Sequence, residues 1–167
     1  MTATILAFDT SGPHCAVSLL MNGDIVSERF EAMAKGQAER LFPLIEEVMA
    51  ETGAVWEEID AIAVGTGPGN FTGIRFAVSA ARGLALSLNI PAIGVSGFAA
   101  LRGSRLFSDA GPMIVSLPST RRGADVMLQF FQNGAPVGDP VELAIFGQGT
   151  IDPSFQGFPD CAPVLGF

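Results

Sequence analysis

A glycine-rich segment, Gly65–Gly73, separates a short apolar run at Ile59–Val64 from a long helical pattern at about Phe71–Leu88. A strand that enters a helix through such a turn presents backbone N–H groups and the positive end of the helix dipole, which suit a phosphate or another anion. The glycines are not followed by lysine and serine or threonine, and their spacing is not Gly-x-Gly-x-x-Gly, so this is neither a Walker A loop nor a dinucleotide fingerprint. Two interpretations stay open: an anion-binding turn, or a tight strand-to-helix turn capped by Asn70 or Thr72.

Strands and helices alternate around this segment. Apolar runs bounded by turn residues predict strands at Thr4–Asp9, His14–Met21, Asp24–Phe30, Ile59–Val64 and Pro91–Val95. The dipeptide Asn22-Gly23 predicts a hairpin between the second and third strands. Apolar residues at three- and four-residue spacing predict helices at Gln37–Thr52, which Gly53 ends, at about 71–88, and, briefly, at Gly97–Arg102.

The later part of the chain repeats the start of this pattern. Strands are predicted at Met113–Leu117, Asp125–Phe131 and Pro136–Leu143, with a second hairpin turn at Asn133-Gly134. Two β-β-β-α-β-α lobes of this kind are the layout of ribonuclease H-like and actin-like α/β folds. After Phe146 the chain is rich in glycine and proline, so we expect a truncated second lobe. The predicted domains are residues 1–103, a ribonuclease H-like lobe, and 104–167, an incomplete second lobe.

Composition narrows the class of protein. Hydrophobic residues make up 49% of the 167 residues and charged residues 16%, which excludes a disordered chain. The sequence has no apolar run long enough for a membrane span and no signal-peptide pattern. We therefore expect a cytoplasmic protein whose Cys15 and Cys161 are reduced thiols. The formal net charge of −8 disfavours direct binding of nucleic acid.

Few side chains could carry catalysis. His14 is the only histidine, which excludes metalloproteases of the HExxH type and leaves no histidine-based nucleophile arrangement. We expect His14 to be structural and Arg121-Arg122 to lie in a solvated loop. Asp9 could approach a nucleotide's metal or form an Asx-type turn, but phosphotransfer needs further carboxylates, and the matching strand end in the second half is Leu117-Pro118-Ser119. No catalytic and no metal-ligating residue is predicted.

The long helix carries two patterns. One is an apolar stripe typical of a core-facing helix. The other is a series of small residues at three- and four-residue spacing, Gly73, Ala77, Ala80 and Gly83. Small residues let a second helix approach closely. That helix is either Gln37–Thr52 of the same chain or a helix of another subunit, and the high apolar fraction favours a partner.

Five stretches, in this order and at this spacing, closely resemble the bacterial TsaB family, also called YeaZ. They are Ile5–Ser11 (ILAFDTS), Gln37–Pro43 (QAERLFP), Gly65–Arg75 (GTGPGNFTGIR), Gly83–Ala85 (GLA) and Ile93–Ser96 (IGVS). The stretch GPGNFTGIR is highly specific, and the resemblance covers about residues 4–103.

The resemblance implies an actin-like, Hsp70-like ATPase fold, in a family once grouped with M22 glycoproteases and with chaperones. Its members are non-catalytic relatives of the enzyme TsaD. Together with TsaD and the ATPase TsaE they make threonylcarbamoyladenosine at position 37 of tRNA. In that assembly TsaD holds the metal and transfers the threonylcarbamoyl group, while TsaB acts as a scaffold. The resemblance therefore implies that tRNA is reached only through the complex.

The resemblance also implies an interface and, at most, a vestigial nucleotide site. TsaB members pair with TsaD, or with a second copy, through their first two helices, which are Gln37–Thr52 and Phe71–Leu88 here. The candidate interface residues are Leu41, Leu44, Phe71, Gly73, Ala77 and Ala80. No cofactor is expected to be required. Weak binding of ATP or ADP would fall to Asp9, Thr10, Ser11, Gly67, Gly69, Asn70 and Thr72.

The chain departs from the family pattern in three places. Gln37 stands where histidine is usual, Pro118 replaces an aspartate, and the chain is shorter than typical members and lacks their C-terminal helices. The first two differences favour a non-catalytic role. The alternative is a nucleotide-dependent transferase or ATPase that uses Asp9 and the Gly65–Gly73 loop. The single histidine makes an M22-type metalloprotease improbable, and only the shared fold supports a chaperone.

Overall fold

A computed structural model describes residues 3–103, 111–119 and 124–144, together with the backbone of 164–165. The chain divides into two units, Met1–Val95 and Ser96–Phe167. The predicted boundary after residue 103 therefore falls too late. The physical reason is that Phe98, in the short helix that follows the first unit, packs with Met113, Val115 and Phe131 of the second unit.

The first unit is built on a five-stranded sheet. Its strands are β1 (Ile5–Asp9), β2 (His14–Met21), β3 (Asp24–Ala32), β4 (Ala61–Gly65) and β5 (Ala92–Val95), in the order β3-β2-β1-β4-β5. The strands β1, β2 and β3 are antiparallel, whereas β4 and β5 join in parallel. The β2–β3 turn has Asn22 at φ 56° and Gly23 at φ 89°, the left-handed conformations that a type I′ turn requires.

Two helices, α1 (Gln37–Thr52) and α2 (Phe71–Leu88), pack on the sheet. Every second residue of β1 and of most of β2 is buried. The helices share one core with strand residues such as Leu6, Val17 and Ile62, which are fully or almost fully buried. A 3₁₀ turn, Trp56–Glu58, connects α1 to β4. The predicted strands and helices of this unit are confirmed, with β3 extending two residues beyond its predicted end.

The second unit starts with the short helix α3 (Gly97–Arg102). Its strands are β6 (Met113–Pro118), β7 (Val126–Gln132), β8 (Ala135–Leu143) and β9 (Val164–Leu165), in the order β8-β7-β6-β9. β6, β7 and β8 are antiparallel, and β9 runs parallel to β6. The order and directions match β3-β2-β1-β4 of the first unit, so the predicted repeat of topology is confirmed.

Within the described part of the chain, every helix is too short or too polar to cross a lipid bilayer.

Candidate functional site

The glycine-rich loop lies directly against the loop that joins β1 to β2. The backbone N–H of Asn70 donates to the carbonyl oxygen of Ser11 at 2.6 Å, and the Thr10 hydroxyl donates to the carbonyl oxygen of Gly73 at 2.8 Å. A Cβ on Gly69 would overlap the Ser11 carbonyl, and one on Gly73 would overlap the Thr10 carbonyl. These glycines therefore allow two loops of the same chain to touch through their backbones.

The amide groups at the start of α2 are bonded within the chain. The Asn70 side-chain oxygen accepts from the N–H of Thr72 at 2.9 Å and from that of Gly73 at 3.1 Å. The carbonyl oxygen of Asn70 accepts the first helical bond, from Ile74 at 2.9 Å. Asn70 is thus the N-cap and Thr72 is not. The geometry is that of the tight capped turn, because the N–H groups of residues 70, 72, 73 and 74 already have acceptors within the chain.

Asp9 organises the β1–β2 loop. Its carboxylate accepts from the Ser11 N–H at 2.6 Å and from the Ser11 hydroxyl at 3.1 Å, which is the Asx-type turn considered from the sequence. Gly65 leaves space for this carboxylate, since a Cβ there would overlap it. The Nε2 atom of His14 lies 3.8 Å from Asp9 Oδ2, the oxygen that also accepts from the Ser11 hydroxyl. The His14 ring packs on Phe30 with centroids 5.1 Å apart.

This arrangement fits a magnesium-bound nucleotide poorly. Asp9 supplies one carboxylate, already engaged with Ser11, whereas Mg²⁺ in phosphotransfer sites is held by several oxygen ligands. In the described ranges, histidine, cysteine, aspartate and glutamate side chains form no group of three that could hold a metal ion. Gln37, at the usual histidine position, donates from Nε2 to the Met33 carbonyl at 3.1 Å and so helps hold the turn before α1.

The cysteine of β2 is not arranged as a nucleophile. Cys15 is buried, and this burial raises the pKa of its thiol, which favours the unreactive protonated form. The other residues considered from the sequence, Cys161 and Arg121-Arg122, lie outside the described part of the chain.

The candidate interface residues fall into two groups. Leu41, Leu44 and Ala77 have no exposed surface, because they form the core between the helices and the sheet. Their assignment to an exposed interface is therefore wrong for this fold. Phe71 is 70% exposed and Ala80 is half-buried, so these two are accessible. Gly73 is half-buried and packs against Thr10, as described above.

Two further apolar residues of the same helices, Phe42 and Leu86, are exposed, and the candidate interface residues did not include them. Leu86 is 85% exposed and Phe42 is 42% exposed. A Cβ on Gly83 would meet nothing within 4 Å. The guanidinium carbon of Arg75 lies 5.1 Å from the centre of the Phe71 ring. A helical wheel could have found Leu86, because it lies away from the buried positions Ala77, Ala81 and Ala85.

Ion pairs tie the edge strand β3 to α1. Arg40 contacts Glu31 of β3 at 2.6 Å and Glu47 of α1 at 2.7 Å. Hydrogen bonds from Arg40 lower the pKa of both glutamates, and those bonds raise the pKa of Arg40 itself. Glu51 contacts Arg29 of β3 at 2.7 Å. This network links α1 to the edge strand and was not foreseen from the sequence.

Known proteins share both the sequence and the fold. Residues 29–141, more than half of the chain, match the family model TsaD, described as tRNA N6-adenosine threonylcarbamoyltransferase. The tRNA threonylcarbamoyladenosine biosynthesis protein TsaB of Escherichia coli is 39% identical over 92 residues, which are 55% of this chain and 39% of that protein. The TsaB protein of Haemophilus influenzae is 38% identical over 98 residues, 59% of this chain and 41% of that protein. The chain thus spans about two fifths of the length of these curated relatives.

Solved structures agree with this similarity. YeaZ from Pseudomonas aeruginosa aligns with a TM-score of 0.76 and 32% identity, covering 98% of this chain and 75% of that one. A ROK hexokinase from Thermus thermophilus aligns with a TM-score of 0.54 at 17% identity, covering 87% of this chain and 50% of that one, which shows a shared fold alone.

The sheet order, the duplicated topology and these neighbours define an α/β protein of the actin-like ATPase fold. Within that class, the family-model match over residues 29–141 and the similarity to YeaZ identify one particular family. The chain belongs to the TsaB (YeaZ) family.

Proposed function

We propose that this protein is a non-catalytic scaffold or activator subunit in the formation of threonylcarbamoyladenosine on tRNA. Its partners in this proposal are a TsaD-like catalytic subunit, a TsaE-like ATPase and a second copy of itself. The tRNA is then bound by the complex, and the chain needs no cofactor of its own. The names of its relatives connect the family to this modification.

The observation that carries the proposal is the exposed apolar surface of the two helices. We use the name helix surface for Phe42, Phe71, Gly83 and Leu86. Leu86 lies beside a cavity of about 630 Å³ at the end of α2, formed with Gly83 and Ile90 among others. An exposed glycine inside a helix costs about 1 kcal/mol relative to alanine. Because nothing in the described chain occupies the space beside Gly83, a partner helix explains the absence of a side chain.

The charges of the two helices support self-association as well as pairing with a relative. The charged residues of α2 are Arg75 and Arg82, both exposed. On α1 the exposed charges are acidic, for example Glu39. A two-fold arrangement that places α2 of one copy against α1 of the other brings opposite charges together twice.

The groups around Asp9 support a non-catalytic role. Asp9, Asn70 and the glycines hold two loops together instead of presenting free donors and carboxylates. A catalytic partner must then supply the metal and the transfer chemistry. The rival function, a nucleotide-dependent transferase or ATPase, requires Asp9 to act on a bound nucleotide.

The experiment is co-purification with the TsaD-like subunit of the same organism, followed by reconstitution of tRNA modification. Leu86→Glu should abolish co-purification and modification, because it places a charge in an apolar contact. Ile25→Glu is the matched control, since Ile25 is an exposed apolar residue, 60% exposed, on β3 instead of on a helix. It should behave as wild type.

Two results would overturn the proposal. One is full association and modification with Leu86→Glu, provided that circular dichroism shows both variants folded. The other is ATP hydrolysis by the wild-type chain alone, with Mg²⁺, that Asp9→Ala abolishes.

A further inference from the structure

A small cavity lies where α1 ends and the 3₁₀ turn begins. It has a volume of about 320 Å³ and is lined by Glu46, Met49, Ala54, Val55, Trp56 and Glu57. Gly53, at φ 71°, ends α1 and turns the chain so that the next residues face the side of the helix. The cavity is thus formed by a helix and the turn that immediately follows it.

The wall of this cavity is apolar and held in place. Met49 belongs to the buried core, and Ala54 and Trp56 pack against that core from the edge. Val55 is 50% exposed at the opening. The turn is closed by the N–H of Val55, which donates to the Glu58 carboxylate at 3.2 Å, and by the N–H of Glu58, which donates to the Val55 carbonyl at 3.0 Å. A site that is already ordered loses little conformational freedom on binding.

The rim of the cavity is acidic. Glu46 and Glu57 are both exposed and carry the lining charges, since the lining contains no lysine or arginine. The cavity also lies at the C-terminal end of α1, whose last turn has no basic residue, so the negative end of the helix dipole is not offset there. The indole ring of Trp56 adds an electron-rich face that attracts cations.

We infer that this cavity is a docking site for a partner protein segment in which an apolar side chain is flanked by arginine or lysine. The apolar side chain would contact Met49, Val55 and Trp56, and the basic groups would pair with Glu46 and Glu57. Charge complementarity selects this occupant, because carboxylates and a helix C-terminus repel phosphates and acidic peptides. The site is separate from the helix surface and does not depend on the proposed function.

The chain provides its own reporter for a test. Trp56 is the single tryptophan, so its fluorescence reports on this cavity alone. The probe is an acetylated and amidated peptide, arginine-leucine-leucine-arginine, titrated into the full-length protein at low salt. The expected result is a saturable change in Trp56 emission that weakens as salt is added. The double variant Glu46→Gln with Glu57→Gln should weaken binding about tenfold, because both ion pairs are lost.

Matched controls separate the cavity from general attraction to an acidic protein. Asp24→Asn with Glu28→Gln removes two exposed charges from β3, away from the cavity lining, and should weaken binding far less. A glutamate-leucine-leucine-glutamate peptide should give no saturable change. The inference is overturned by any of three results: no saturable response to the basic peptide, equal binding of the acidic peptide, or an equal loss of affinity in the β3 variant and in the cavity variant.

Discussion

The carbonyl oxygen of Thr10 occupies the position that a Cβ on Gly73 would take, and the Thr10 hydroxyl donates to the Gly73 carbonyl at 2.8 Å. The loop after β1 and the first turn of α2 are therefore in backbone contact. This contact explains a glycine at the third position of a helix, where glycine is otherwise unfavourable.

Gly73→Ala should destabilise the first unit by about 1–3 kcal/mol, because the new methyl group forces the two backbones apart. Gly83→Ala is the matched control in the same helix. It should raise stability by about 0.5–1 kcal/mol, because its Cβ enters open space and alanine favours the helix. Urea unfolding at low protein concentration, followed by Trp56 fluorescence, measures both. Equal effects of the two substitutions would contradict the close contact at Gly73.

Asn70→Ala should lower the free energy of unfolding by about 1 kcal/mol, since two helix N–H groups lose their acceptor. Thr72→Ala should change it by less than about 0.5 kcal/mol, because Thr72 is exposed and does not cap the helix. Thermal or urea unfolding of the two variants decides between the capping residues that the sequence left open. A larger loss in Thr72→Ala would show that the cap is assigned wrongly.

Leu41 and Phe42 are neighbours with opposite surroundings. Leu41→Ala should cost about 2–5 kcal/mol of stability, because it opens a cavity in a fully buried position. Phe42→Ala should cost less, about 1–1.5 kcal/mol, because 42% of the residue is already exposed. If the helix surface binds a partner, Phe42→Ala should also weaken association, measured by size-exclusion chromatography with light scattering. An unfolded Phe42→Ala variant would contradict its exposed position.

The ion pairs of Arg40 with Glu31 and Glu47 should make stability depend on pH. The pKa values of Glu31 and Glu47 are lowered in the folded protein by hydrogen bonds from Arg40, so the unfolded chain binds more protons in acid. The stability that these ion pairs contribute is fully present above the ordinary glutamate pKa of about 4.3. It is lost as the pH falls through the lowered pKa values that the two glutamates have in the folded protein. In Arg40→Met, the drop in stability between about pH 6 and about pH 3 should become shallower. An unchanged slope would mean that these pairs contribute nothing.

Much of the fold follows from local sequence. The strand at Ile5–Asp9, the turn at Asn22-Gly23 and the helix Phe71–Leu88 were all predictable, because apolar spacing and turn chemistry are written in neighbouring residues. The family could also be predicted, since GPGNFTGIR is a contiguous stretch. The boundary between the units could not be predicted in this way. Whether α3 belongs to the first or the second unit depends on which core Phe98 packs into, and the residues of that core lie later in the chain.

The candidate site divides in the same way. The sequence by itself determined that His14 is the only histidine, that Asp9 ends the first strand, and that a glycine-rich loop follows another strand of the first lobe. Only the tertiary structure decided that the glycines contact the loop after Asp9, that Leu41, Leu44 and Ala77 are core, and that Leu86 is exposed. The physical reason is that a small or apolar residue suits a buried core and a helix contact equally well. Which role it takes depends on what lies beside it, and that neighbour comes from a distant part of the chain.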